Sequence, residues 1–277
     1  MSSDGNTEIR DFKKYLLPSM ERMISGATAI EEKQCSLVPP TWEDTVRTIS
    51  MDESVAAGLS LSHAFATDPL SQYLLDGDDM GGYSPEARWK LHVALMTTVV
   101  ASHVHKGLVT TIGPDYDALA IWAPPGADTD GLWTMIRTGI IKLYLQLPAE
   151  GRKRYFKELL PLLHHTKAEV LRERDEDSYY LVYIGTKSGA RGRGYATKLI
   201  RDMIVKAEAE NRPMYLESSS EANNAFYRKF GFEYKKDISF ERGPVPVRLD
   251  IMVREPQSQK VADSSTATPQ TSSETEV

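Results

Sequence analysis

Several features that define whole protein classes are missing from this chain. Cys35 is the one cysteine among 277 residues, so no internal disulfide can form, and a reducing, cytoplasmic compartment is expected. No run of 18 apolar residues is present, which excludes a membrane-spanning helix. The first residues do not show a basic stretch followed by an apolar core, so we expect no secretory signal.

The chain also lacks an excess of positive charge. Its 33 Lys and Arg residues are outnumbered by 39 Asp and Glu residues, which gives a formal net charge of −6. This balance provides no overall attraction to nucleic acid phosphates. We therefore expect neither a nucleic acid partner nor a membrane, and basic residues matter only where they are concentrated locally.

Composition divides the chain into three parts. Residues 1–41 lie outside the core pattern and are predicted to be an N-terminal extension, partly helical or disordered. Residues 42–256 carry the regular apolar pattern of one folded domain. Residues 257–277 are rich in Ser, Thr, Gln and Glu and are predicted to be a disordered tail, because they cannot bury enough surface to offset the entropy of ordering.

Hydrophobic periodicity in the middle part predicts an α/β fold. A helix is predicted after Asp52, with Val55 and Leu59 on its apolar face, and longer helices across residues 86–104 and 149–171. In the final third, a helix keeps one apolar face from Ala196 to Ala207, and a short helix is predicted from Ala222 to Phe230. Strands are predicted at residues 107–112, 118–123, 179–184, 214–217, 232–240 and 247–253.

A glycine-rich turn joins the aromatic strand at 179–184 to the helix that follows it. Gly192 and Gly194 remove side chains where backbone amides can approach a bulky anion, and the helix start adds unpaired N–H groups and the positive end of the helix dipole. The side chains of Arg191 and Arg193 add positive charge. This turn therefore predicts a pyrophosphate-binding site.

Other nucleotide-binding motifs do not match this turn. The P-loop pattern is absent, because no Lys-Ser or Lys-Thr pair follows the glycines at its spacing. The dinucleotide fingerprint lacks its third glycine, whose place is taken by Thr197, and a single strand–helix unit follows. A purely structural tight turn is the remaining alternative, but such a turn does not need two arginines beside the glycines.

Three sequence blocks carry a family resemblance. Arg191-Gly-Arg-Gly-Tyr-Ala196 matches the signature Gln/Arg-x-x-Gly-x-Gly/Ala. With the downstream blocks Tyr215-Leu-Glu-Ser-Ser219 and Asn223-Asn-Ala-Phe-Tyr-Arg-Lys-Phe-Gly-Phe232, it resembles the GNAT N-acetyltransferase superfamily, and most of all its puromycin N-acetyltransferase-like fungal and bacterial members. The resemblance implies a mixed, mostly antiparallel central sheet that is splayed at a bulge, with helices on both faces.

The resemblance also implies acetyl-CoA as cosubstrate and no metal. The pantetheine arm would bond to the exposed backbone of a strand at Ile184, Gly185 and Thr186. The pyrophosphate would lie between Arg191 and Arg193, on the backbone amides of Gly192, Gly194, Tyr195, Ala196 and Thr197.

Catalytic roles follow from the same resemblance and from the residue types. Tyr227 stands at the family position for the proton donor to the leaving thiol, although burial alone would also explain an aromatic residue there. Asn223 is a candidate to bond the cofactor arm, with Asn224 as the fallback; capping of the helix start would explain both. Glu217 is a candidate to accept or relay the amine proton, because burial would raise its pKa. An outward-facing strand position is the alternative for Glu217.

The expected reaction is transfer of an acetyl group to a primary amine, by direct attack while both substrates are bound. A small-molecule amine of detoxification or secondary metabolism is expected, with the acceptor pocket walled by a helix at residues 132–147. Acetylation of a protein or peptide amine and a noncatalytic acyl-CoA-binding role stay open as alternatives. His164 and His165 do not predict a metal site, because neighbours on a helix point about 100° apart.

Overall fold

The computed structural model describes residues 39–127, 139–243 and 245–257, and it combines seven strands with eight α-helices in these ranges. The strands are β1 Arg47–Thr48, β2 Leu108–Ile112, β3 Ala118–Ala123, β4 Tyr179–Thr186, β5 Met214–Ser218, β6 Glu233–Phe240 and β7 Val247–Arg254. The α-helices are α1 Ser54–Ala64, α2 Pro69–Leu75, α3 Pro85–Lys106, α4 Ile140–Gln146, α5 Ala149–Arg152, α6 Leu160–Leu171, α7 Tyr195–Ala209 and α8 Glu221–Arg228.

The seven strands form one sheet with the order β1-β2-β3-β4-β5-β7-β6. Every neighbouring pair is antiparallel except β4 and β5, which run parallel. The predicted mixed, mostly antiparallel sheet of an α/β fold is therefore confirmed. No helix among the described residues is long and apolar enough to cross a membrane.

The sheet opens between its two parallel strands. β5 pairs with β4 over three residues, from Tyr179 to Leu181, whereas β4 continues along β3 as far as Thr186. The register between β3 and β4 shifts beside Val182, which has no partner opposite it and forms a bulge. A bulge bends its strand, so β4 leaves β5 after Leu181 and the predicted splay is confirmed.

Helices cover both faces of the sheet. On one face, α7 packs its apolar side against the central strands through Leu199, Ile200 and Met203, and α8 adds Tyr227. On the other face, α1 and α3 contribute Leu61 and a row of buried side chains of the long helix. The predicted helices on both faces are thus present, and the opening between β4 and β5 lies between these two layers.

The packed face of α1 differs from the prediction. Val55 is 66% exposed and Leu59 is 43% exposed, whereas Ala57 and Leu61 are completely buried. The reason is a close helix crossing: a Cβ on Gly58 would lie 2.6 Å from Cα of Thr97 in α3. The helix turns Ala57, Gly58 and Leu61 inward to reach α3, and Val55 and Leu59 point outward. The start of the helix also differs from the prediction after Asp52. Ser50 caps a short 3-10 turn, Met51–Glu53, and α1 begins at Ser54.

Two further elements differ from the sequence prediction. Asp68 and Pro69 do not merely end α1; they begin the short helix α2, whose N-cap is Asp68. The predicted helix 149–171 is divided by a π-helical segment, Lys153–Leu159, before α6. Residues 132–138 of the predicted pocket-wall helix, and most of the predicted N-terminal extension and C-terminal tail, lie outside the described residues.

Candidate active site

The turn before α7 adopts a conformation that glycine makes possible. Gly192 and Gly194 have φ angles of +81° and +77°, in the left-handed region that side chains disfavour. At both positions no atom lies within 4 Å of where a Cβ would stand, so the space in front of the turn is open. Because Gly194 is the N-cap of α7, the first N–H groups of the helix have no acceptor within the helix.

Positive charge surrounds this open turn. Arg191 and Arg193 are exposed on either side of Gly192. The Nε atom of Arg191 lies 3.4 Å from the carbonyl oxygen of Thr186, which holds the turn against the end of β4. With the positive end of the α7 dipole, these groups suit a doubly charged anion. The turn therefore fits the pyrophosphate of acetyl-CoA: a side chain at either glycine would occupy the space that such an anion needs.

A cavity of about 700 Å³ lies where β4 and β5 separate. Four of the predicted site residues line it, one or two from each of three elements: Ile184, Glu217, Asn223 and Tyr227. Beyond them the cavity continues between the N-terminal helices and α6. Its volume is typical of a small-molecule site.

Two of the predicted cofactor contacts have structural explanations. A Cβ on Gly185 would lie 2.7 Å from Cε2 of Phe65 and 2.9 Å from Cβ of Ala64, so this glycine allows α1 to pack on β4. Asn224 is buried on the inner side of α8, where its amide nitrogen donates a hydrogen bond to Oδ2 of Asp250 at 2.5 Å. Asn224 is not among the cavity-lining residues, so the structure brings Asn223, and not Asn224, to the cavity.

Tyr227 is 6% exposed and lines the cavity from α8. Its ring packs edge-on against Phe226 and Phe232. Burial raises the pKa of the hydroxyl, and no hydrogen bond from a described residue contributes to that increase. A protonated hydroxyl that is not engaged by a described neighbour, at the wall of a cavity, has the properties of a proton donor to a bound substrate.

Glu217 lies on β5 just beyond the last residue that pairs with β4. Burial raises the pKa of its carboxyl group from 4.5 to about 7. The hydroxyls of Tyr180 and Tyr215 and the charge of Lys167 oppose this increase. Neither tyrosine satisfies the carboxylate fully, because Oε1 of Glu217 and the hydroxyl of Tyr215 are buried without a hydrogen-bond partner of normal geometry among the described residues. Glu217 thus keeps an unused acceptor beside the cavity.

The cavity also contains residues that the sequence did not single out for a site. Asp68, Tyr183 and Lys167 line it from α2, β4 and α6, and Ile140 of the predicted pocket-wall helix lines it from α4. Asp68 had a recognisable signal, since Asp followed by Pro is a helix start. No sequence signal pointed to Tyr183 or Lys167. The position of Tyr183 depends on the bulge in β4, and that of Lys167 on the π-helical segment before α6. No cluster of three His, Cys, Asp or Glu residues that could hold a metal occurs in the described part of the chain.

Comparison with known proteins gives this arrangement a context. Residues 167–234 match the family model of the acetyltransferase (GNAT) domain. Over 209 residues the chain is 38% identical to an uncharacterized N-acetyltransferase of Schizosaccharomyces pombe, and the alignment covers 76% of this chain and 82% of the relative.

Solved structures of low identity share the fold. Arylalkylamine N-acetyltransferase 2 of Aedes aegypti has a TM-score of 0.51 at 20% identity, over 76% of this chain and 98% of that chain. The mosquito arylalkylamine N-acetyltransferase like 5b has the same TM-score at 13% identity, over 76% of this chain and 99% of that chain. At these identities the likeness shows the fold alone.

Proposed function

Because the chain belongs to the GNAT family of acetyltransferases, we propose that it transfers an acetyl group from acetyl-CoA to a primary amine of a small molecule. The observation that carries this proposal is the opening between β4 and β5. Glu217 and Tyr227 both line the cavity at this opening, and the chain that follows β4 leads into a helix start suited to a pyrophosphate.

Residues at the open turn would hold the cosubstrate. The amides of Gly192, Gly194, Tyr195, Ala196 and Thr197 would bind the pyrophosphate, with Arg191 and Arg193 beside it. The β4 edge at Ile184, Gly185 and Thr186 would bind the pantetheine arm, since β5 leaves the backbone groups of that edge unpaired beyond Leu181. Asn223 lines the cavity and would bind the same arm. When bound, acetyl-CoA supplies an activated acyl group and a thiol leaving group.

Glu217 would remove the proton from the acceptor. An amine attacks only when neutral, whereas a free alkylamine is protonated near neutral pH. A carboxylate with a pKa of about 7 is a suitable general base under these conditions, and Oε1 of Glu217 has no hydrogen-bond partner of normal geometry among the described residues. Direct attack needs no covalent enzyme intermediate, because holding both substrates together replaces it.

Tyr227 would return a proton to the leaving sulfur. Its hydroxyl stays protonated at neutral pH because burial raises its pKa above the ordinary value. The residue lies on the same cavity as Glu217 and one helical turn after Asn223. Base and acid therefore come from β5 and α8, which border the opening of the sheet.

The cavity favours a small acceptor over the two alternatives. A volume of about 700 Å³ suits a small molecule, whereas a peptide amine requires a groove that admits a chain. In a noncatalytic acyl-CoA-binding protein, the cavity-lining groups of Glu217 and Tyr227 would have no chemical role. A small-molecule N-acetyltransferase uses the cavity, the base and the acid together.

A thiol-release assay tests the proposal. Purified protein is incubated with acetyl-CoA and, separately, with alkylamines, arylalkylamines, diamines, aminonucleosides and lysine-containing peptides. We expect thiol release that depends on a small amine, with the N-acetylated product identified by mass spectrometry. Release with peptides alone, or with none of these amines, would contradict the proposal.

A further inference from the structure

Four acidic residues line the cavity: Glu217, Asp68, Asp175 and Glu176. Asp175 is paired with Lys167 and Glu176 is exposed, so Asp68 is the one that borders the cavity away from β5 without an ion-pair partner among the described residues. Its Oδ2 atom accepts a hydrogen bond from the backbone N–H of Ser71 at 2.9 Å, which caps α2. The residue also lines the cavity. The carboxylate is engaged by Ser71 and by the backbone N–H of Leu70, and it also borders a space that is large enough for a ligand.

No cationic side chain of the described residues forms an ion pair with Asp68. The ionisable residue that acts on it is His92, whose Nε2 atom lies 3.0 Å from the carbonyl oxygen of Ser62. Burial lowers the pKa of His92, which disfavours a positive charge there. Burial also raises the pKa of Asp68. A carboxylate in such a position is stabilised when a ligand supplies the missing cation.

Aromatic rings stand beside this carboxylate. The rings of Phe65 and Tyr183 meet edge to face with centroids 5.1 Å apart, and both line the cavity together with Tyr155. Aromatic faces attract an ammonium group and pack against an alkyl chain. The surroundings of Asp68 thus suit an aliphatic cation.

Tyr183 connects the two acidic positions. Burial is the main cause that raises the pKa of Tyr183, and the charges of Tyr155, Asp68 and Glu217 add to it, so both carboxylates act on this one ring. The nearby ammonium group of Lys167 is already compensated, because its Nζ atom donates to the side chain and the backbone carbonyl of Asp175 at 2.5 and 2.6 Å. The cavity therefore has acidic groups at the start of α2 and on β5, besides Asp175 and the exposed Glu176, and its wall includes aromatic rings.

We propose that the acceptor carries a second positive charge and is an aliphatic diamine. Asp68 binds the ammonium group that does not react, while Glu217 serves the amine that does. This assignment rests on the proposed acetyl transfer and names its substrate class. It makes Asp68 a residue that determines specificity and not a group that takes part in the chemistry.

Paired substrates test the assignment. Values of kcat and KM are measured for 1,4-diaminobutane and for 1-aminobutane, which differ by the second amino group alone. The wild-type protein is expected to prefer the diamine in kcat/KM by about 10-fold or more. Asp68→Asn keeps an oxygen for the cap of α2 but removes the charge, and it is expected to lower the diamine-to-monoamine ratio roughly 10- to 100-fold, chiefly through the KM of the diamine.

Asp76→Asn is the matched control. It removes a carboxylate at the other end of α2, where Asp76 pairs with Arg88 and does not line the cavity, so the ratio should stay as in the wild type. A wild-type protein without preference, or an equal loss for both substrates in Asp68→Asn, would overturn the diamine assignment while leaving acetyl transfer intact. The wild-type comparison of the two substrates needs no variant. It therefore tests the diamine assignment even if Asp68→Asn does not fold. Failure to acetylate any amine would overturn both proposals.

Discussion

Replacing Glu217 by Gln should make the protein more stable at alkaline pH, because the buried carboxylate is costly to ionise. Burial raises its pKa from 4.5 to about 7, so the folded state holds the proton more tightly than the unfolded state. Below pH 4.5 the carboxyl group is protonated in both states, and it costs nothing. As the pH rises from 4.5 to about 7 the unfolded chain ionises first and the folded protein loses stability relative to it, and above about 7 this loss is complete.

The size of this effect follows from the two pKa values. A difference of one between the folded and unfolded pKa values corresponds to about 1.4 kcal/mol of stability. The ionised Glu217 therefore costs the folded protein about 3 kcal/mol at pH 8. At pH 5 the same linkage leaves a cost of about 1 kcal/mol. The neutral amide of Gln does not ionise. We therefore expect Glu217→Gln to raise the free energy of unfolding by about 3 kcal/mol at pH 8 and by about 1 kcal/mol at pH 5.

Denaturant unfolding at pH 5 and pH 8 measures this difference. Glu241→Gln is the control, since it makes the same chemical change on an exposed side chain of the hairpin loop and should give the same stability as the wild type at both pH values. A gain that is equal at the two pH values would refute the reasoning, as would a loss at pH 8. Either result would mean that the surroundings do not raise the pKa of the Glu217 carboxyl group.

Three more predictions concern the reaction and the fold. The kcat/KM of the wild type should rise as the pH increases through about 7, because Glu217 must lose its proton to act as a base, and a pH–rate profile of Glu217→Gln should lack this step. Tyr227→Phe should lower kcat about 100-fold and leave the Kd for acetyl-CoA nearly unchanged; an unchanged kcat would remove its assignment as the acid. Gly185→Ala should destabilise the protein by about 1–3 kcal/mol in thermal unfolding, since its Cβ would press on Phe65, whereas Gly189→Ala, with open space, should not.

Local signals in the sequence were sufficient to predict the turn before α7 and the class of the sheet. Gly192, Gly194 and the amphipathic helix after them need no distant partner to be recognised. The strand at 179–184 was visible for the same reason, because a strand covered on both faces is apolar throughout. These features define the expected cosubstrate site.

Features that depend on distant contacts were predicted poorly. The face of α1 is decided by the closeness of Gly58 to Thr97, which no periodicity within the helix reveals. The same holds for Asn224, whose amide is used by Asp250 from β7, 26 residues further along the chain. The part of the cavity that we propose for the acceptor is assembled from the start of α2, from β4 and from α6. Its residues therefore became candidates through the structure alone.

The central claim is that backbone N–H groups at the start of α7 bind the pyrophosphate of acetyl-CoA, and calorimetric titration tests it most directly. The wild type should bind acetyl-CoA much more tightly than pantetheine, which lacks the pyrophosphate. Gly194→Trp should fill the open space and abolish this difference while thermal unfolding stays cooperative, whereas Gly82→Trp, also in open space but in a distant turn, should preserve it. Wild-type affinity for acetyl-CoA in Gly194→Trp would contradict the claim.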